Sequence, residues 1–189
     1  MCIRDKGKAA HAGFAPEDGV HAIQVAAAAV ANLPSGRWGD VTVNVGTISG
    51  GRATNIVPDS CTVTGEIRAL CHQDALDRLN EIHSEFVEQA QAVDAKLNFN
   101  HTIHITGYRV DTDAPVAQRF KRACEAVGVT PRFTDTYGGS DCNILSAHGI
   151  QGLVVATAMN NCHAANEYTT VEELCKAGRL AQALMEKQD

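Results

Sequence analysis

Two stretches of this chain alternate apolar and polar residues with a period of two: "VTVNVGTIS" at 41–49 and "CTVTGEIRAL" at 61–70. Each reads as a half-buried strand. In the second, Val63, Gly65 and Ile67 share one face, and Thr62, Thr64, Glu66 and Arg68 share the other. Residues 2–10 read as a more weakly patterned strand, and "KLNFNHTIHIT" at 96–106 as a further one. Between the strands lie two helical patterns. An alanine-rich helix is expected over 19–32, capped by Glu17 or Asp18 and ended by Pro34, Ser35 and Gly36. An amphipathic helix is expected from Asp74 to Val93, with Ala75, Leu76, Leu79, Ile82, Phe86 and Val87 on one side.

The order β-α-β-β-α-β over residues 1–106 is the ferredoxin-like arrangement, an antiparallel sheet with two helices on one face. Gly107 marks a hinge, and Pro115 stands at a helix start. Residues 107–189 then read as α/β: helix 114–127, strand 131–136, a short helix over 140–147, strand 152–157 and a last helix over 171–187. Two strands cannot bury both faces without neighbours. This half therefore reads as part of a larger sheet, with Ile150, Leu153, Val154 and Val155 left open to water.

Composition narrows the function. The 189 residues carry a net charge of −6, which opposes a nucleic-acid partner. No apolar run reaches the ~18 residues that a membrane span needs. The basic opening "MCIRDKGKAAHAG" has no apolar stretch after it, so it does not read as a secretion signal, and a cytoplasmic location is expected. Seven scattered cysteines without a close pair read as unpaired thiols in a reducing compartment.

The candidate chemistry lies at loop positions. His163 follows the expected strand at 152–157, where open α/β sheets hold their ligands, with Glu167 or a backbone carbonyl to fix its tautomer from behind. The other reading of His163 is a hydrogen-bonding surface histidine. "GGSD" at 138–141 lacks the second glycine of a nucleophile elbow and reads as a tight turn with Ser140 or Asp141 capping a helix. There is no phosphate-binding glycine loop. Arg68 reads either as a fork for a substrate carboxylate or as a surface residue paired with Glu66. His11 ends its strand among small residues that leave room for an approaching group. His101 and His104 are three residues apart, on opposite faces of their expected strand, which opposes joint metal ligation with His163.

Four segments in order, "GKAAHAGFAPEDGVHAIQVAAAAVANLPSGR", "NVGTISGGRATNIVPDSCTVTGEIRAL", "GGSDCNILSAHGI" and "AMNNCHAANEYTTVEEL", resemble one family. It is the di-zinc exopeptidase family M twenty, which includes peptidase T, carboxypeptidase G, acetylornithine deacetylase and succinyl-diaminopimelate desuccinylase. The last segment is most similar to the peptidase T-like branch. The resemblance implies a ferredoxin-like lid, also the dimerisation domain, at 1–106, and the returning part of the catalytic α/β domain at 107–189. It implies His163 as a zinc ligand and His11 as the lid histidine that steadies the oxyanion in the other subunit's site. It further implies Asn55 and Arg68 as substrate contacts, and Gly138, Gly139 and Ser140 as the turn beside the active site. Short peptides are the implied substrate and a homodimer the implied assembly. The family's remaining metal ligands, a His-x-Asp and a Glu-Glu pair before the lid, have no match there: the one His-x-Asp, His72 to Asp74, falls within the lid at its second helix, and Glu172 and Glu173 stand after the zinc histidine. The resemblance thus implies a C-terminal portion of a peptidase, inactive alone. The alternative is a non-catalytic dimerisation or regulatory module derived from one.

Overall fold

The computed structural model describes residues 1–34, 36–156 and 158–186. Ser35 of the helix-ending turn, Thr157 of the expected strand and Lys187 of the expected last helix lie outside the described residues. The chain divides into two compact units, Met1–Gly107 and Tyr108–Asp189.

The first unit is a five-stranded antiparallel sheet. Its strands are β1 (Cys2–Lys6), β2 (Gly36–Trp38), β3 (Val41–Gly50), β4 (Ser60–Ala69) and β5 (Lys96–Asn100), in the order β2-β3-β4-β1-β5. Helices α1 (Ala22–Asn32) and α2 (His72–Gln91) pack on it. Without the short β2, the order and connections are those of the ferredoxin-like arrangement. The core forms where Ile3, Val41, Val43, Cys61 and Val63 of the sheet meet Ala22, Ala26 and Ala29 of α1 and Ile82 and Phe86 of α2. The alanines let α1 approach closely, and Phe86, fully buried, fills the space under α2.

Three sequence expectations change here. The alanine-rich helix does not start at 19 with a Glu17 or Asp18 cap. Those residues lie in a 3₁₀ turn, Pro16–Asp18, and the helix begins at Ala22 with His21 as its cap, accepting from the Gln24 N–H at 3.3 Å. The reason is pairing: Val20 exchanges two backbone bonds with Lys8, so the chain stays extended until residue 21. The first and last strands stop early, at Lys6 and Asn100. Gly36–Trp38 forms a strand where only a turn was expected, pairing with Val41–Val43. Gly46 is left over as a bulge between the paired Val45 and Thr47.

The second unit contains α3 (Pro115–Ala126), α4 (Asp141–Ala147) and α5 (Val171–Met185). Helices α3 and α5 pack through Ala123, Cys124 and Leu180, with Phe120, Val127 and Val155 at the margin. The Arg119 guanidinium donates to the Leu184 and Glu186 carbonyls at the end of α5. Neither expected strand forms: the described residues of 131–136 and 152–157 have no ladder. Backbone in extended form needs a neighbour for its N–H and C=O groups, and these segments have none among the described residues. Ile150 and Val154 are half exposed accordingly.

Candidate functional site

The segment that leaves β1 is stitched to the 50–59 loop. Ala10 O accepts from Val57 N at 2.9 Å, His11 bridges Ile56, and Ala12 N donates to Asn55 O at 3.0 Å. This places the backbones of His11 and Asn55 side by side. The His11 side chain turns back on its own loop. Its Nδ1 accepts the N–H groups of Gly13 at 3.1 Å and Phe14 at 3.2 Å, and its ring stacks on Phe14 at 4.3 Å between centroids. Phe14 itself is 86% exposed. With Nδ1 committed as an acceptor, the neutral ring carries its proton on Nε2 and offers it outward. Nitrogen-15 spectra of the imidazoles should therefore show His11 as the Nε2–H tautomer. A protonated Nδ1 in the neutral ring would contradict this geometry.

Arg68 is paired with Glu66. Its Nε and Nη2 donate to Oε1 and Oε2 of Glu66 at 2.9 and 3.1 Å, a two-pronged pair along one face of β4. The guanidinium also holds the Glu66 carboxyl below its ordinary range, first by hydrogen bonding. Glu66 thus takes the Nε edge of the guanidinium.

In the second unit, Gly138 N donates to Thr136 Oγ1 at 3.1 Å, and the turn through Gly139 leads to Ser140, the first residue before α4. Ser140 N donates to Asn143 Oδ1 at 2.9 Å, which closes the start of that helix. The Tyr108 hydroxyl faces this turn. Burial, then its contact with Cys142, pushes the phenol above its ordinary value.

His163 adopts a left-handed backbone, φ 65°, as do Asn161 in the same loop and Ala158 just before it. None of the three is glycine, so the loop stores strain that its surroundings must hold. Glu167 supplies one restraint: its Oε2 accepts from the His163 backbone N–H at 2.7 Å. The sequence expectation gave Glu167 the imidazole as partner, whereas the recorded bond goes to the main chain. The ends of the loop are closed by two backbone bonds between Asn160 and Tyr168, at 2.9 and 3.1 Å.

Among the described residues, no group of three or more His, Cys, Asp or Glu side chains could hold a metal ion. A catalytic zinc generally takes three protein ligands. The donors of this chain therefore do not fit a complete metal centre. Also among the described residues, no helix is long and apolar enough to cross a membrane, and no disulfide forms.

Residues 3–94 match the family model described as a peptidase dimerisation domain. The chain carries an M twenty peptidase dimerisation domain. Across both units it is similar to the crystal structure of aminopeptidase PepT from Bacillus cereus, 34% identical with a TM-score of 0.85, covering 97% of this chain and 50% of that one. A tripeptidase from Staphylococcus aureus shares the fold at a TM-score of 0.89 and 24% identity, over 97% of this chain and 49% of that one. An uncharacterized protein of Bacillus subtilis, YqjE, is 30% identical over 182 residues, 96% of this chain and 49% of its own length. The chain thus spans about half the length of these relatives. A dinuclear metal-binding peptidase of Bacillus subtilis shares the fold at 16% identity and a TM-score of 0.68, over 97% of this chain and 48% of that one.

Proposed function

We propose that this chain supplies the dimerisation lid and the closing catalytic segment of a zinc-dependent exopeptidase acting on short peptides, similar to peptidase T. The observation that carries the proposal is the likeness to aminopeptidase PepT, which runs through both units at 34% identity. Local geometry supports it. His11 presents an Nε2–H donor of the kind that stabilises a developing oxyanion, and Asn55 lies beside it. Arg68 is the fork for a terminal carboxylate, with Glu66 holding the guanidinium by its Nε edge. Gly138, Gly139 and Ser140 form a turn whose small residues let a substrate approach, and His163 is the metal ligand, with Glu167 holding its backbone. Two copies assemble through the lid into a homodimer, in the cytoplasm, where unpaired thiols persist.

One candidate ligand does not hold a catalytic zinc, so the 189 residues alone do not hydrolyse peptides. A second reading, a non-catalytic module that pairs with a full-length partner, draws support from the contrast between the two units: the lid has a complete sheet and core, and the second unit has no strand among its described residues. Zinc content and tripeptide hydrolysis, measured on this chain and on a version extended into the upstream reading frame, separate these readings. The expected result is a short chain that is metal-poor and inert, and a longer one that carries about two zincs and cleaves. If both bind no zinc, the module reading replaces the peptidase. If the short chain binds zinc stoichiometrically and cleaves, the ligand assignment is overturned.

A further inference from the structure

Helix α5 begins with Thr170 as its cap and Glu173 three residues later. The Glu173 N–H donates to Thr170 Oγ1 at 3.2 Å, and Glu173 Oε2 accepts from Thr170 N and Oγ1 at 3.2 and 2.9 Å. A capping box needs no more than this. Yet the same Oε2 also accepts from Asn160 Nδ2 at 3.1 Å, across thirteen residues of chain. Asn160 is the first post of the His163 loop, since its backbone N–H and C=O are the ones that pair with Tyr168.

We infer that Glu173 is a positioning residue for His163, a clasp that ties the strained histidine loop to the first turn of α5. The loop has two ends and several interior bonds, among them Ala164 N to Asn161 O and Glu167 N to Ala164 O, both at 3.0 Å. The Asn160–Tyr168 bridge joins the ends to each other, and Glu167 holds the His163 N–H within. None of these bonds reaches beyond the loop. The Glu173–Asn160 bond does, and α5 packs against α3 through Leu180. Left-handed non-glycine residues at 158, 161 and 163 persist only where several contacts over-determine them. The carboxylate thus serves two tasks with one oxygen: it caps the helix and sets where the imidazole of His163 stands. The importance of that placement rests on the peptidase reading. The clasp itself does not.

The test is amide hydrogen exchange of His163 in the metal-free full chain, with four single variants. Glu173→Ala and Asn160→Ala are expected to speed His163 exchange by about tenfold or more, because each opens the clasp. Glu173→Gln keeps an acceptor oxygen and is expected to stay within about twofold of the parent. Thr170→Ala weakens the helix cap and leaves the Asn160 bond in place, so it should lower the unfolding midpoint while His163 exchange stays near the parent rate. The inference is overturned if Glu173→Ala leaves His163 exchange unchanged, or if Thr170→Ala loosens His163 as much as Glu173→Ala does. The readout needs neither metal nor substrate, so failure of the clasp and failure of the peptidase reading show up in separate measurements.

Discussion

Asp5→Asn is expected to stabilise the lid by about 2–3 kcal/mol at pH 7.5 and by less than about 1 kcal/mol at pH 4. Asp5 is fully buried on the helix-facing side of β1, between Cys61 of β4 and Leu97 of β5. Among the described residues, neither carboxylate oxygen has a hydrogen-bond partner. Burial alone pushes the carboxyl from 3.8 up to about 6. The sign follows from which state binds the proton. Below about pH 4 the group is neutral in both folded and unfolded chains and carries no ionisation penalty. From pH 4 to 6 the unfolded chain releases its proton and the folded one keeps it, so stability falls as pH rises. Above about pH 6 the full penalty is present and the slope vanishes. Urea unfolding followed by Trp38, the one tryptophan, reports on this unit directly. Asp5→Val should gain at both pH values, because it also removes an unpartnered polar group from the core. Parallel pH profiles for parent and Asp5→Asn would show that the carboxyl is solvated and sink the prediction.

Gly7→Ala should destabilise the same unit by about 3 kcal/mol, and it should disturb His11 as well. A Cβ at Gly7 would stand 1.9 Å from Val20 O and 2.9 Å from Val20 C. Those are backbone atoms, so no rotamer change relieves the clash. Gly7 N donates to Asp59 O at 3.0 Å, and the next residue makes the Lys8–Val20 bridge. Moving this point shifts the whole run of bonds that ends with Ala12 on Asn55. The checks are the urea midpoint and the His11 imidazole resonances. An unchanged midpoint with unchanged His11 signals would show that the close approach at Gly7 is not rigid.

Both predictions concern residues that pattern reading passed over, for a physical reason. The opening strand looked weakly patterned because Asp5 occupies an inward position that alternation assigns to an apolar residue, beside Ile3. Gly7 carries no hydrophobic signal at all; its role exists only because Val20 comes within reach. In the sequence Glu173 reads as half of a misplaced Glu-Glu pair, although the Thr-x-x-Glu spacing from Thr170 marks a helix start. Asn160 had no local signal, since its partner is thirteen residues away.

The lid is legible from periodicity alone. Period-two alternation in 41–49 and 61–70, interrupted in the first by the bulge at Gly46, and the apolar side of 74–93 state which face is inward, because burying that face is the dominant favourable term for such elements. The order of elements then leaves few ways to pair them. The ordered motifs also carried the family. Only the tertiary structure decided the start of α1, the proton-bearing nitrogen of His11, the Glu66 pairing of Arg68 and the clasp on the His163 loop. Each of these is a hydrogen bond between groups whose approach depends on the fold, and a bond of that kind leaves no periodic trace in the chain. The strands expected at 131–136 and 152–157 make the same point from the other side. Their apolar content allows a strand, and the absence of a pairing neighbour among the described residues leaves them irregular.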